Sequence, residues 1–113
     1  MPIENWSDNI LVVDVQDDPA FTDELNALIE ELDVRKDVDV VLNFAGVSYV
    51  NSSNIAKLLK ARKKLISTRR RLVLCGISTN VWGLFLVTGL DKVFDFVDNV
   101  ATGLASVQIN SEE

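Results

Sequence analysis

The chain has 113 residues, 48% of them hydrophobic and 25% charged, with a net charge of −6. That length allows one domain with one core, and the composition is that of a soluble globular protein. There is no histidine and one cysteine, Cys75, which removes the commonest general base and metal ligand and excludes an internal disulfide.

In chain order, Ile10 to Val15 reads as a strand, with a short partner around Ile3 to Trp6, and Asp17-Asp18-Pro19 breaks it. Phe21 to Asp33 is a predicted helix. Leu25, Leu28, Ile29 and Leu32 fall at helical spacing, Glu24, Glu30 and Glu31 face out, and Asp18 or Thr22 can cap it. Asp37 to Asn43 is the central strand, apolar and β-branched enough to be covered on both faces. Gly46 marks a turn. Ser52 to Ile66 is the second helix, with Ile55, Leu58, Leu59, Leu65 and Ile66 on its apolar side. Asn51 and Ser52 are both good N-cap residues. After a loop at Ser67 to Arg70 comes a buried strand, Leu72 to Cys75. Ser78 or Thr79 caps a third helix running through Val87, with Leu84, Phe85 and Val87 able to supply its core face, and Gly89 suits the C-terminal turn. Val93 to Phe96 is a short strand and Val100 to Gln108 a last helix. The whole of 1–113 reads as a single domain, with 109–113 expected to fray. Strands alternating with helices predict an α/β fold: a mixed, mostly parallel sheet with about four helices mainly on one face.

Charge is divided along the chain. Before Val40 there are twelve acidic residues and two basic ones. From Val40 to Leu90 there is no acid, but there are eight basic residues: Lys57, Lys60, Arg62, Lys63, Lys64, Arg69, Arg70 and Arg71. The second helix and its exit loop therefore present either a solvated basic face or a surface for an acidic or phosphate-bearing partner. A hydroxyl at that helix's N-terminus is also well placed to carry a phosphate, because free N–H groups and the helix dipole favour negative charge there.

The segment Val50-Asn51-Ser52-Ser53-Asn54-Ile55-Ala56-Lys57-Leu58-Leu59 resembles the Asp-Ser-Ser-Gly turn and helix of STAS domains, the anti-sigma factor antagonists and their relatives. Arg71 to Ser78 resembles the family's next strand. Val81 to Phe94, with Thr88-Gly89-Leu90-Asp91, resembles the helix and short strand that follow, so the likeness runs from about Asp39 to Val107. The resemblance implies a small STAS-like domain. It also implies an anti-sigma factor antagonist, a binding module that sequesters a serine-kinase anti-sigma factor and is phosphorylated by it. Ser52 aligns with the modified serine, and Ser53 is the adjacent alternative. Asn51, Ser52, Ser53, Asn54, Lys57, Lys60 and Lys64 would meet the partner, which supplies the ATP itself. Relatives also serve as unphosphorylated scaffold subunits of stress-signalling or lipid-transport assemblies. Three features depart from the pattern: Asn51 replaces the family's aspartate, Asn54 replaces its glycine, and the family's Gly-x-Leu-Asp element is missing from the first loop.

No enzyme is expected, since a serine–histidine triad cannot be built and no acid pair sits in a catalytic motif. Neither a cofactor nor a metal is implied. Nucleic acid is disfavoured by the acidic total and the lack of interleaved aromatics. No apolar run approaches the roughly 20 residues that span a bilayer, and Met1 to Asn9 has no basic signal region. Together with the lone cysteine, this sets the expectation of a cytoplasmic protein, a monomer or weak homodimer.

Overall fold

The computed structural model describes residues 3–111, with side chains described for 3–108. The elements are β1 (Ile3–Ser7), β2 (Ile10–Gln16), α1 (Ala20–Val34), β3 (Asp39–Gly46), α2 (Ser52–Ser67), β4 (Leu72–Cys75), α3 (Thr79–Thr88), a 3-10 turn (Leu90–Lys92), β5 (Asp95–Val97) and α4 (Val100–Ser111). One sheet holds the strands in the order β1-β2-β3-β4-β5; β1 is antiparallel to β2 and the other neighbours are parallel. The expected mixed, mostly parallel sheet is present.

This strand order explains the layering. From β2 to β5 the chain moves one strand at a time in one direction. Right-handed crossovers repeated in one direction put every connecting helix on the same face. Thus α1, α2 and α3 share a face, over a core that includes Leu11, Val13, Val40, Leu42, Phe44, Leu72 and Leu74. The alternate residues Ile10, Val12, Val41, Val73 and Cys75 point the other way and are covered by Val107, Val100 and Leu104 of α4. A Cβ on Gly103 would sit 3.0 Å from Val41 Cγ1, so this glycine lets α4 lie close to the sheet.

Several expectations need correcting. β3 starts at Asp39 and reaches Gly46, later than the predicted strand at both ends, and β5 is Asp95–Val97 because Leu90–Lys92 forms the 3-10 turn. The helix α4 continues to Ser111, past Gln108; the remaining two residues of the expected tail lie outside the described residues. On α2 the buried residues are Asn54, Leu58, Ala61 and Leu65. Leu59 and Ile66 are instead 37% and 51% exposed. They sit on the edge of a stripe that is wider in sequence than the surface α2 can bury against α1 and the sheet. On α3 the core residues are Val81 and Phe85, and Val87 is exposed. Ser78 does cap α3, accepting from the Val81 N–H at 3.2 Å, and Gly89 takes φ 75 at its C-terminal end.

Cys75 is fully buried on the α4 side of β4. Burial first, and then the charge of Asp14, push its pKa up to about 11. The thiolate is the reactive form. Iodoacetamide at pH 8 is therefore expected to leave the native protein unlabelled and to label it in urea, as intact mass would record. Stability held by the neutral thiol is complete below the unfolded pKa and declines as pH rises towards 11.

Candidate functional site

The N-terminus of α2 stands at the C-terminal end of β3, where the chain leaves the sheet through Val47, Ser48, Tyr49 and Val50. Val47 and Val50 are buried and anchor this crossing; Ser48 and Tyr49 between them are exposed. Asn51 is the N-cap. Its Oδ1 accepts the Asn54 N–H at 2.8 Å, and Asn54 Oδ1 accepts the Asn51 N–H at 3.1 Å, completing a reciprocal capping box. Ser52 is therefore the first helical residue, and Asn51 alone does the capping that either residue could have done.

Asn54 is 1% exposed, and its remaining polar atom needs a partner. Nδ2 donates to Asp18 Oδ2 at 3.0 Å, and Asn51 Nδ2 donates to the same oxygen at 3.2 Å. Asp18 Oδ1 accepts from the Thr22 hydroxyl at 2.7 Å and the Thr22 N–H at 3.0 Å. One carboxylate thus closes the first turn of α1 and receives both asparagines of the α2 turn. Beside it, Asp17 accepts from the Ser48 N–H at 2.8 Å and the Ser48 hydroxyl at 2.6 Å. These bonds fasten the β2–α1 loop to the β3–α2 loop. They also hold both carboxyls below the ordinary 3.8: Thr22 and then Asn54 act on Asp18, and Ser48 acts on Asp17. The stability they contribute is present above that value and is lost as pH falls below it.

Asn54 does not adopt the left-handed backbone in which asparagine can stand in for glycine. Arg69, at φ 61, is the only non-glycine residue with positive φ among the described residues. Asn54 acts through its side chain, and Asp18 acts with it; the sequence signal was the pairing of an Asp-Asp-Pro break with an Asn-Ser-Ser-Asn turn.

Ser52 and Ser53 are exposed, and neither hydroxyl has a hydrogen-bond partner among the described residues. The first turn of α2 contains no acid, so its N–H groups and dipole face solvent without a charge of their own to meet them. Of the three candidate lysines, Lys57 donates to Asn26 of α1 at 2.9 Å and Lys64 pairs with Asp33 of α1. The side chain of Lys60 has no such partner and is exposed. The outward face of α2 runs from Ser52 and Ser53 through Ala56, Leu59, Lys60 and Lys63 to Ile66. Trp82, 37% exposed, packs edge-on against Phe96 with ring centroids 5.1 Å apart.

Among the described residues, no group of three or more acids or cysteines could hold a metal ion, and no helix is long and apolar enough to cross a membrane. The sheet order, the single helix on the second face and the exposed serine at the start of α2 define a small α/β domain that offers a surface turn rather than an enclosed cleft. The family model for the STAS domain matches residues 8–103, and the chain belongs to that family.

Solved structures agree in fold. The structure of RsbS from Moorella thermoacetica is 18% identical, with a TM-score of 0.77 over 98% of this chain and 99% of that one. An anti-sigma-factor antagonist (STAS) domain protein from Planctomyces limnophilus is 16% identical, with a TM-score of 0.77 over 88% and 91%. The Bacillus cell-fate determinant SpoIIAA in its phosphorylated form is 18% identical, with a TM-score of 0.71 over 92% and 95%. Among curated protein sequences, none matches this chain.

Proposed function

We propose that this chain is a cytoplasmic anti-sigma factor antagonist, a non-enzymatic binding module. Its partner is an anti-sigma factor of the serine-kinase type, which binds the turn Asn51-Ser52-Ser53-Asn54 and the outward face of α2, with Lys60 exposed on that face and Lys57 and Lys64 at its border. That kinase brings ATP and phosphorylates Ser52. The observation that carries this reading is the position of Ser52: an exposed, unpartnered hydroxyl on the first turn of a helix whose cap is rigidly held. The fold shared with SpoIIAA, solved in both unphosphorylated and phosphorylated forms, supports it.

A phosphate on Ser52 adds about −1.5 to −2 charges at neutral pH. The N-terminus of α2 tolerates that charge, so the domain keeps its fold. A partner packed on the turn must desolvate the charge, so the complex is lost. Binding of a serine-kinase anti-sigma factor from the same cells should survive Ser52→Ala and fall by about tenfold or more with Ser52→Asp, on the order of 1.4 kcal/mol. Equal binding by both variants contradicts the proposal.

An unphosphorylated scaffold role is the second reading. It draws on the half-apolar, half-basic stripe of Leu59, Lys60, Lys63 and Ile66, which offers a docking face independent of Ser52. Under that reading Lys60→Glu abolishes assembly and Ser52→Asp leaves it intact.

A further inference from the structure

The Ser52 turn leaves the Arg69-Arg70-Arg71 run unexplained. In the fold, two of these arginines join cations from other elements at the opposite end of the sheet from Ser52, where β4 and β5 begin. Arg62 of α2, Arg70 and Arg71 of the α2–β4 loop, and Lys92 of the 3-10 turn line a concavity of about 370 Å³. Its apolar wall includes Ile66 and Phe94, and Asp95 is the one carboxylate among its lining residues.

The charges do not balance. Arg71 Nη2 pairs with Asp95 at 3.1 Å, and Arg70 Nη2 pairs with the buried Asp39 at 2.8 Å. Arg62 Nε donates to the Val93 carbonyl at 3.0 Å, which orients the guanidinium without neutralising it. The side chain of Lys92 has no hydrogen-bond or ion-pair partner among the described residues and is exposed. Four cations face two carboxylates, leaving two positive charges. Arg70 Nε is in addition buried with no hydrogen-bond partner among the described residues. This excess lies on a protein of net charge −6, so it is a local arrangement and not a consequence of overall basicity.

We infer that this concavity is a binding site for the dianionic phosphate of a phosphate monoester. Guanidinium groups present paired N–H donors that match phosphate oxygens, and Lys92 adds a mobile point charge at the rim. A dianion cancels the surplus of two positive charges, and the flank at Ile66 accepts an apolar substituent on the ester. The site does not depend on the role proposed for Ser52.

The test is a backbone amide NMR titration of the full chain with inorganic phosphate and with phenyl phosphate, at constant ionic strength set by chloride so that screening does not change. Saturable shifts are expected at Arg70, Arg71, Lys92 and Val93, with phenyl phosphate the tighter ligand. Lys92→Glu, on an exposed side chain, should weaken binding by about tenfold. Asp95→Asn, which releases Arg71, should tighten it by about threefold. A merely structural role for these residues predicts neither change.

Pelleting with phosphatidylcholine vesicles containing phosphatidic acid distinguishes the sources of the phosphate. Lys92-dependent pelleting marks a lipid headgroup, whereas phenyl phosphate binding without pelleting marks a soluble ester. Shifts that stay linear, spread equally to Lys57, Lys60 and Lys63, or persist unchanged in both variants overturn the inference.

Discussion

Asn54→Asp is expected to destabilise the protein by about 3 kcal/mol at neutral pH, the lower end of the cost of an uncompensated buried charge, and to recover much of that loss in acid. The substitution preserves size and the Oδ1 acceptor for the Asn51 N–H. It replaces Nδ2, which lies 3.0 Å from Asp18 Oδ2, with a second carboxylate oxygen. Position 54 is 1% exposed, so the new charge can neither turn to solvent nor be screened by it. Two carboxylates at hydrogen-bond distance cannot both ionise without cost, and the pair retains a proton that each would otherwise lose.

The pH dependence identifies the cause. The native chain loses the contributions of Asp17 and Asp18 as pH falls below their ordinary 3.8, because both are held low in the folded state. In the variant the raised pair works in the opposite sense: its proton is bound in the folded state and lost on unfolding as pH rises. Urea unfolding of both proteins from mildly acid to neutral pH measures this. The gap between the two should narrow towards acid. A gap independent of pH would mean that the loss comes from packing and not from the Asp18 contact.

Asp39→Ala is expected to cost about 3 kcal/mol, which for a chain of this size lowers Tm by on the order of 12 °C. Asp39 is 3% exposed at the start of β3. Its Oδ2 accepts Arg70 Nη2 at 2.8 Å and its Oδ1 accepts the Arg71 N–H at 2.8 Å. Arg71 O in turn accepts the Val40 N–H at 2.9 Å, so the carboxylate sits where β3 and β4 first pair. Alanine leaves the Arg70 guanidinium without its carboxylate and the Arg71 N–H without its acceptor. Arg70 keeps about a fifth of its side chain in solvent (21%), which holds the cost at the lower end of the range for breaking a buried pair. Asp39→Asn preserves an acceptor for the Arg71 N–H and should lose about half as much. Thermal melts of the three proteins check the order; equal Tm values for Asp39→Ala and the native chain would show that the Asp39 contacts do not stabilise the fold.

The fold was legible because its signals are local and mutually consistent. The apolar run around Val40 to Leu42 can be satisfied only by a strand covered on both faces, and Gly89 and Ser78 punctuate α3 as their chemistry dictates. The turn at Asn51 was legible as a helix start for the same reason. What sequence reading missed is non-local. Asp18 is 33 residues from Asn51 and 36 from Asn54, and only the crossing of the two loops brings them together. The Asp39–Arg70 pair spans 31 residues. Asp18 reads in sequence as a candidate cap for α1 and Asp39 as part of the central strand, and neither reading names the distant partner, because an acid's long-range contacts leave no local mark. Leu59 and Ile66 failed in the opposite direction. Periodicity marks an apolar stripe on α2, but how much of that stripe is covered depends on where α1 and the sheet edge lie.

The proposed function makes Ser52 the switch residue of a partner-binding domain. Intact-mass spectrometry with fragmentation, on protein isolated from its own cells across several growth conditions, is the decisive experiment. The predicted result is a single phosphate, present in a fraction of the molecules, localised to Ser52 and missing from a Ser52→Ala strain. A chain that carries no phosphate under any of those conditions, or carries it on Ser53 alone, contradicts the claim.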